Sequence, residues 1–468
     1  MKRVLLINTN TEKAPYPVPP VGLAMVASAA GQRYEVRLYD GTFDEGRNLV
    51  RIVEDFGPDY IGIGIRNIDD TVMERPVSYI ARILSDFILP VKKISTAPLI
   101  LGGSGFSIFP EELMKLTGAD YGVAGEGEEI FPALLGHLDS GKDHPPLPKI
   151  IYPGVILPGK RGFPSAEIDR HIDYTPYRQK SAYPIQTKRG CSHRCIYCTY
   201  PVIEGKRFRP RDPAEIAGEI EQACHRLGPI TFEFVDSTFN DPKGHAEAIC
   251  REIIKRKIKI RLRTMGINPR HTSRELFELM LEAGFVQIDA TPDSASPAMI
   301  RNLGKGFHLH EVEKMALLIR EFDLPTMWFF LFGGPGENEN TLKESFSFID
   351  AYVNPSDLVY LATGLRIYPD TPLYRIALKE GFVRRDQSLL DPASFYFSRE
   401  MDSRKTAEMM HEFIRLHPNC LPSSETTPSP EMMHEATEIR KNEGLTEPMF
   451  RTLLRIRKDW IGKGRLRI

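Results

Sequence analysis

Three cysteines within eight positions are the feature that most constrains this chain of 468 residues. Cys191, Cys195 and Cys198 are separated by three and then two residues, and thiolates grouped in this way usually bind a soft metal. Zinc is one alternative, but a structural zinc site needs four ligands and no fourth cysteine lies close by. A disulfide is another, but three is an odd number and the remaining cysteines are scattered. The spacing favours a [4Fe–4S] cluster with three cysteine ligands, which leaves one iron open.

The composition limits the class of protein. Hydrophobic residues make up 41% of the chain, and its length is typical of two or three domains. The 61 Lys and Arg residues are matched by 62 Asp and Glu, so the basic excess of a nucleic-acid-binding protein is absent and we expect no such partner. No apolar run reaches the roughly 18 residues of a membrane span, and residues 1–7 are too short for a signal peptide. We therefore expect a cytoplasmic protein with reduced thiols.

Residues 1–148 have the pattern of a doubly wound, Rossmann-like α/β domain. Short apolar runs predict strands at 4–7, 34–40, 60–65, 98–103 and 121–124, with helical stretches between them. Glycines follow the fourth and fifth of these strands. Such sheets bind ligands at the carboxyl ends of their strands, where glycine lets the backbone approach a ligand closely. Tight turns are the alternative explanation for these glycines.

Residues 149–176 are rich in proline and are predicted to form a linker. Beyond them, from 177 to 375, strands and helices alternate again, with strands predicted at 184–187, 230–236, 259–265, 286–290 and 326–332. This pattern predicts a partial, six-stranded (β/α) barrel whose chemistry lies at the carboxyl ends of the strands. Residues 376–468 are predicted to be mainly helical, with a basic amphipathic helix near the end, and we expect them to influence substrate specificity.

The cysteine loop, with Tyr197 directly before its last cysteine, resembles that of the radical S-adenosylmethionine (SAM) superfamily. The resemblance implies that the open iron binds SAM and that an electron from the cluster generates a 5′-deoxyadenosyl radical. An external donor such as ferredoxin or flavodoxin would supply that electron. It also implies that SAM is contacted by Tyr197, Asp236, Ser237, Thr238, Arg263, Asp293 and Ser294, with residues 301–306 close by. The family's usual Glu is replaced here by Asp293.

The first domain resembles the cobalamin-binding domain that precedes the radical SAM core in one large subclass. The resemblance implies that cobalamin is contacted by Pro20, Gly22, Leu23, Arg66, Asn67, Gly102, Gly103, Ser104, Gly125, Glu126, Gly127 and Glu128. The best-known cobalamin proteins place a cobalt-binding histidine after the first strand, whereas the first histidine of this chain is His137. We therefore predict that no imidazole of this domain binds cobalt, and that Arg66 and Asn67 are the candidates to face it.

Together the resemblances imply a cobalamin-dependent radical SAM methyltransferase, which methylates an unactivated carbon using methylcobalamin and a 5′-deoxyadenosyl radical. A protein or peptide substrate is favoured over a small molecule, because the compact tail looks similar to that of archaeal members that modify proteins. The most specific hypothesis is Cα-methylation of a glutamine in methyl-coenzyme M reductase. Two alternatives stay open: a cobalamin-dependent radical SAM cyclase or rearrangement enzyme acting on a small molecule, and a non-catalytic cobalamin carrier or sensor.

Overall fold

The structure is a computed structural model that describes residues 1–14, 16–140, 147–152, 165–178, 180–425 and 427–466. The described residues contain two large parallel sheets, both covered by helices. Parallel sheets need helical crossovers that bury their faces, which is why the predicted strands are almost entirely apolar. The α/β fold class predicted from the sequence is confirmed.

The first sheet has six strands. They are β1 (Arg3–Asn8), β2 (Glu35–Asp40), β3 (Tyr60–Gly64), β4 (Leu99–Gly102), β5 (Tyr121–Val123) and β6 (Ile150–Ile151). The helices are α1 (Val21–Ala30), α2 (Gly41–Asp44), α3 (Leu49–Phe56), α4 (Ile80–Ile83), α5 (Leu89–Ile94), α6 (Ser104–Ile108), α7 (Pro110–Thr117) and α8 (Ile130–Asp139), with a π-helical turn (Leu84–Ile88) joining α4 to α5. The strand order is β2-β1-β3-β4-β5-β6, all parallel. The strand β2 is added on one side of β1, and β3 and the later strands are added on the other side. Ligands of such sheets bind at this switch point, between β1 and β3.

The second sheet has seven parallel strands in the order β17-β14-β13-β12-β11-β10-β7. They are β7 (Tyr183–Ile185), β10 (Thr231–Phe234), β11 (Arg261–Ile267), β12 (Phe285–Asp293), β13 (Thr326–Phe332), β14 (Leu358–Thr363) and β17 (Cys420–Pro422). Two short antiparallel pairs join β8 (Lys188–Arg189) to β9 (Arg209–Pro210) and β15 (Leu365–Arg366) to β16 (Phe395–Tyr396). The strands β7, β10, β11, β12 and β13 match the five predicted ranges. The sixth strand of the predicted partial barrel is β14, for which no range was predicted, and β17 adds a seventh.

Helices cover the outside of the second sheet. They are α9 (Tyr200–Ile203), α10 (Pro213–Leu227), α11 (His245–Lys255), α12 (Arg274–Ala283), α13 (Pro297–Asn302), α14 (Leu309–Glu321), α15 (Glu339–Tyr352), α16 (Pro372–Glu380), α17 (Ser403–Leu416), α18 (Pro430–Glu443) and α19 (Met449–Gly462). Short 3₁₀ turns lie at Ile168–Arg170, Pro269–His271 and Ser423–Glu425. The mainly helical tail is confirmed.

Side chains alternate between the two faces of this sheet. On β10, Phe232 and Phe234 belong to the large apolar core, whereas Glu233 lies between them on the opposite, inner face. The tail closes one end of the space enclosed by that inner face, because Phe450 of α19 packs on Met327 and on strand residues at the start of β14. We call the enclosed space the lumen. Its closed end is the amino-terminal end of the strands.

The carboxyl edge of the first sheet meets the second domain. Asp40, at the end of β2, accepts a hydrogen bond of 2.6 Å from the Tyr177 hydroxyl, and Asp69, beyond β3, accepts one of 2.9 Å from Arg366. All of these side chains but that of Asp40 are buried. The ligand-binding edge of the first domain therefore faces the barrel. The domain boundaries near 148 and 176 stay a prediction.

Candidate cofactor and active site

The cysteine loop follows β8 and is held by backbone contacts on both sides. Cys191 N–H donates to the Gly205 carbonyl at 3.1 Å, and Ile196 N–H donates to the Leu303 carbonyl at 3.0 Å. Gly304 has a φ of +69°, and a Cβ there would lie 2.5 Å from the Arg194 carbonyl oxygen. Only glycine fits this backbone without strain, which explains why the segment 301–306 can pack so closely on the loop.

The three thiols of the loop are unpaired and close together. All three are free, and burial raises the pKa of each, that of Cys198 to about 12 with further contributions from Cys195 and Cys191. Thiols in this setting become thiolates readily only when a metal binds them. Among the described residues, no set of three Cys, His, Asp or Glu side chains is arranged to hold a single ion. A cubane places each cysteine on a different iron, so the loop fits a [4Fe–4S] cluster better than zinc.

His193 lies inside the loop but has another role than metal binding. Its Nε2 is 2.7 Å from Asp241, which also accepts hydrogen bonds from Asn268 at 2.8 Å and Thr238 at 3.0 Å. Burial opposes the charge of Asp241, but the hydrogen bonds from His193 and Asn268 outweigh it and lower the pKa of this carboxyl. The network ties the loop to the ends of β10 and β11.

Asp236 anchors the strand that leads into the loop. Its carboxylate accepts hydrogen bonds from Thr187 N–H at 2.8 Å, Thr187 Oγ1 at 2.6 Å and Lys188 Nζ at 3.2 Å. The side chains of Lys188 and Asp236 are fully buried. Both carboxylate oxygens thus accept hydrogen bonds within the protein, and the contact between Asp236 and SAM stays a prediction.

The end of β12 carries a buried charged pair beside the loop. Lys305 Nζ lies 2.7 Å from Asp293 and 3.2 Å from the Tyr197 hydroxyl, which itself donates to Asp293. Lys305 also lowers the pKa values of Cys195 and Cys198, against the effect of burial. The predicted residues Tyr197 and Asp293 are thus brought together next to the thiols. The sequence indicates Lys305 only as part of the segment 301–306.

The other predicted SAM contacts differ in their surroundings. Ser237 and Thr238 are half-buried directly after β10, and Ser237 Oγ donates to the Gly190 carbonyl at 3.4 Å. Ser294 is fully buried and its hydroxyl is 3.1 Å from that of Ser345, so it holds α15 against the sheet. Contacts of Ser237 and Thr238 with SAM stay a prediction.

Two of the predicted glycines are exposed at the carboxyl edge of the first sheet. Gly103 is exposed with a φ of +101°. Gly22, in the first turn of α1, is exposed and has no atom within 4 Å of where its Cβ would stand. Pro20 precedes α1, Leu23 packs close to Gly64, and Ser104 donates to the Arg66 carbonyl at 3.3 Å. Bare backbone at this edge fits a large flat ligand such as cobalamin.

Glu126 and Glu128 connect the two domains. Arg189, two residues before Cys191, forms ion pairs with both carboxylates, at 3.3 Å from Glu126 and closer from Glu128. Arg209 also pairs with Glu126. These carboxylates had been predicted to contact cobalamin. In the structure their side chains bind arginines of the cysteine-loop region. The contacts of Glu126, Glu128 and the neighbouring Gly125 and Gly127 with cobalamin stay a prediction.

Arg66 and Asn67 follow β3 at the switch point. Asn67 donates to Asn10 at 3.1 Å. Arg66 is exposed to solvent. Burial nevertheless lowers its pKa, and the charges of Tyr200, Tyr16 and Glu233 oppose this shift. That Arg66 and Asn67 face cobalt stays a prediction.

His137 lies at the opposite edge of the first sheet. Asp139, two residues further along α8, accepts hydrogen bonds of 2.6 Å from Lys2 and from the hydroxyls of Tyr34 and Tyr60. Lys2 and Tyr60 mark the amino ends of β1 and β3. His137 is therefore far from Arg66 along the sheet.

The lumen contains charged residues next to the predicted residue Arg263. Arg263 Nε lies 2.6 Å from Glu233, and its guanidinium stacks over the Tyr16 ring with a centroid distance of 4.2 Å. The Tyr16 hydroxyl, from the first domain, donates to Glu233 at 3.1 Å. Asp289 stands on the next strand, where burial and the charge of Glu233 raise its pKa to about 8. Sequence reasoning missed Glu233, Asp289 and Tyr16. The signal available for Glu233 was a lone charge between two aromatic residues, and the other two residues have no comparable pattern.

Comparison with protein families identifies two domains. Residues 7–135 match the B12 binding domain, and residues 185–349 match the Radical SAM superfamily. The second match includes the cysteine loop and extends into the last turn of α15. The first ends within α8.

Similar sequences include methyltransferases. An uncharacterized methyltransferase of Pyrococcus horikoshii is 24% identical over 83% of this chain and 87% of its own length. Tryptophan 2-C-methyltransferase of Streptomyces laurentii is 26% identical over 78% of this chain and 73% of its own. An anaerobic magnesium-protoporphyrin IX monomethyl ester cyclase of Rubrivivax gelatinosus is 24% identical over 53% of this chain and 48% of its own.

Solved structures share the whole fold. The radical SAM methyltransferase TsrM from Kitasatospora setae, with tryptophan substrate and a SAM analogue bound, covers 100% of both chains with a TM-score of 0.82 and 23% identity. The cobalamin-dependent radical enzyme OxsB, with aqua-cobalamin and SAM bound, covers 99% of this chain and 71% of its own with a TM-score of 0.70 and 16% identity. In the described part of the chain, no helix is both long enough and apolar enough to cross a membrane.

Proposed function

Since this chain is a radical SAM enzyme with a B12-binding domain, of the methyltransferase type, we propose that it methylates an unactivated carbon of a substrate held in the lumen. A [4Fe–4S] cluster with SAM would supply a 5′-deoxyadenosyl radical, and cobalamin would supply the methyl group. The observation that carries the proposal is the arrangement of the two domains. The glycine-lined edge of the first domain and the cysteine loop of the second both face the mouth of the lumen.

The residues of the chain have three tasks in this proposal. Cys191, Cys195 and Cys198 hold the cluster. Arg189 joins the cysteine-loop region to the first domain through Glu126 and Glu128, so that the two cofactors keep a constant separation. The lumen excludes water from the reacting carbon, because the tail closes its amino-terminal end. Such exclusion protects a radical from unwanted hydrogen donors.

The substrate itself is the finer part of the proposal. Cα-methylation of a glutamine in methyl-coenzyme M reductase stays the specific hypothesis from the sequence, and a protein or peptide acceptor stays the prediction. A tryptophan-like acceptor is the second candidate, because one relative is named for tryptophan methylation. An external electron donor such as ferredoxin or flavodoxin is expected in either case.

Labelled methyl transfer tests the proposal directly. Anaerobically reconstituted enzyme with bound cobalamin is incubated with SAM carrying a ¹³C-methyl group and with an extract of the source cells, and mass spectrometry identifies what gains the label. We expect one acceptor to gain a labelled methyl on carbon. The Cys198→Ala variant should give none, whereas Cys224→Ala, a half-buried cysteine of α10 outside the loop, should behave like the wild type.

The same experiment separates the alternatives. A cyclase or rearrangement enzyme, which the relative from Rubrivivax gelatinosus supports over half of the chain, would form 5′-deoxyadenosine without transferring the label. A carrier or sensor would form neither product. Either result would contradict the proposed methyl transfer.

A further inference from the structure

Four polar side chains of the lumen lie side by side on adjacent strands. The register pairs Glu233 of β10 with Arg263 of β11, and Arg263 with Gln287 of β12. Asp289 is two residues further along β12 and so faces the same side. Glu233 and Asp289 are only 4% and 6% exposed. Charged side chains are rarely buried this deeply unless they are paired or bind a ligand.

Asp289 is the member of this group that lacks a strong partner. Glu233 has the Arg263 guanidinium at 2.6 Å and the Tyr16 hydroxyl at 3.1 Å. Asp289 accepts one long hydrogen bond, 3.4 Å from Gln287 Nε2, and forms no ion pair with any residue that the structure describes. Burial and the charge of Glu233 raise the pKa of Asp289 to about 8, so an additional cation would be needed to stabilise the ionised carboxylate at neutral pH.

Two further groups around Arg263 are unsatisfied. Its Nη2 atom has no hydrogen-bond partner among the described residues. The Tyr174 hydroxyl also has no hydrogen-bond partner among the described residues, and the residue is only 4% exposed. The charges of Arg263 and Glu233 influence its pKa in opposite directions. Buried polar atoms without partners carry a free-energy penalty that a bound ligand can remove. Because Arg263 can only donate, these atoms point to a ligand in the lumen that offers an acceptor atom as well.

Space for a ligand exists directly above this group. Met265, two residues beyond Arg263 on the same face of β11, is 41% exposed although it lies within a strand of the sheet. Thr291 and Leu331, nearer the carboxyl ends of β12 and β13, are half-buried. Met327, the register neighbour of Asp289 on β13, packs with Phe450 and closes the other end of the lumen. A ligand here would lie between the polar group and the cysteine loop.

We propose that the substrate carries an ammonium group and that this group forms an ion pair with Asp289 in the lumen. The inference rests on the proposed function and adds the chemical class of the acceptor: a glutamine within a protein has no ammonium group of its own, so such a substrate would need one on a neighbouring residue, whereas a tryptophan-like acceptor carries one. A free amine or amino acid and a lysine side chain of a peptide share this chemistry. Glu233 stays bound to Arg263, so Asp289 alone distinguishes a charged nitrogen from a neutral one.

The test removes the positive charge from the substrate in one experiment and the negative charge from Asp289 in another. Reconstituted enzyme with cobalamin and ¹³C-methyl SAM is given the cell extract either untreated or after acetylation of its primary amines, which makes them neutral. The extract is separated into small-molecule and protein fractions beforehand, so that the two sources are assayed apart. The variants are Asp289→Asn and, as a matched control, Asp350→Asn, whose side chain on α15 is 73% exposed.

We expect acetylation to reduce labelling by the wild type and by Asp350→Asn roughly 10- to 100-fold, the range for a lost charge-assisted hydrogen bond. Asp289→Asn should raise KM for the untreated acceptor by a similar factor with a smaller change in kcat, and should discriminate little between the two extracts. Its cobalamin absorbance and iron content should equal those of the wild type, which shows that it is folded. Equal labelling of untreated and acetylated extract by the wild type overturns the inference, whereas no labelling of either contradicts the proposed function itself.

Discussion

Arg189 offers a quantitative test of how the two domains are held together. Its guanidinium and the carboxylates of Glu126 and Glu128 are each 6–7% exposed, and Arg189 also lies 3.2 Å from Gln186 Oε1. Replacing Arg189 by Met keeps the aliphatic stem and leaves two carboxylates buried without this cation. Removing one partner of a buried pair typically costs about 3–5 kcal/mol. We expect the free energy of unfolding to fall by about that amount.

Urea denaturation of the cobalamin-bound protein measures this loss, and a compensating variant shows its cause. Combining Arg189→Met with Glu126→Gln and Glu128→Gln should restore most of the stability, because no uncompensated charge then stays buried. Arg404→Ala is the surface control: its pair with Glu408 is largely exposed and should contribute less than about 1 kcal/mol. If Arg189→Met costs no more than Arg404→Ala, the inference that this cluster joins the domains is wrong.

Three other predictions follow from single positions. Burial raises the pKa of Glu337 to about 7, so its contribution to stability is present below the ordinary pKa of 4.5 and is lost as the pH rises through 7. Relative to Glu337→Gln, the free energy of unfolding of the wild type should fall by roughly 3 kcal/mol over that interval in urea titrations. Parallel pH profiles of the two proteins would contradict this. Gly22→Leu should leave the unfolding midpoint unchanged, because no atom lies near that Cβ, but should weaken cobalamin binding in equilibrium dialysis; unchanged affinity would remove Gly22 from the site. Bound cob(II)alamin should show no nitrogen splitting in its electron paramagnetic resonance spectrum, because the Arg66 guanidinium has no free lone pair and His137 lies at the far edge of the sheet; a three-line splitting would show an axial nitrogen.

Local apolar runs were sufficient to predict most of the fold. Val4 to Ile7 and the runs at 60–65 and 326–332 became β1, β3 and β13, because strands covered on both faces must be almost wholly apolar. The strand β17 escaped prediction because Cys420–Pro422 begins a segment rich in proline and serine. It forms only through pairing with β14, at Val359 and Leu361, and such a long-range partner leaves no local pattern.

Only part of the candidate site could be predicted from the sequence, because long-range partners leave no local pattern. The three cysteines are neighbours in sequence, so their grouping is visible directly. Glu128 lies 61 positions from Arg189, and the sequence does not show that this carboxylate is already bound to a partner of opposite charge. Asp289 was hidden because one acidic residue in an apolar strand has no distinctive spacing. Partners across domains decide whether a polar residue contacts a cofactor or another residue of the protein.

Iron analysis of a cysteine variant tests the central claim most directly. Cys191, Cys195 and Cys198 are replaced together by Ala, the protein is reconstituted anaerobically with iron and sulfide, and iron content and SAM cleavage are measured. The wild type, and a control in which Cys224, Cys250 and Cys420 are replaced instead, should each bind about four irons per chain, as a cubane requires, and should form 5′-deoxyadenosine when reduced. The loop variant should bind no cluster and form none. If the loop variant keeps about four irons and still cleaves SAM, the loop is not the cluster site.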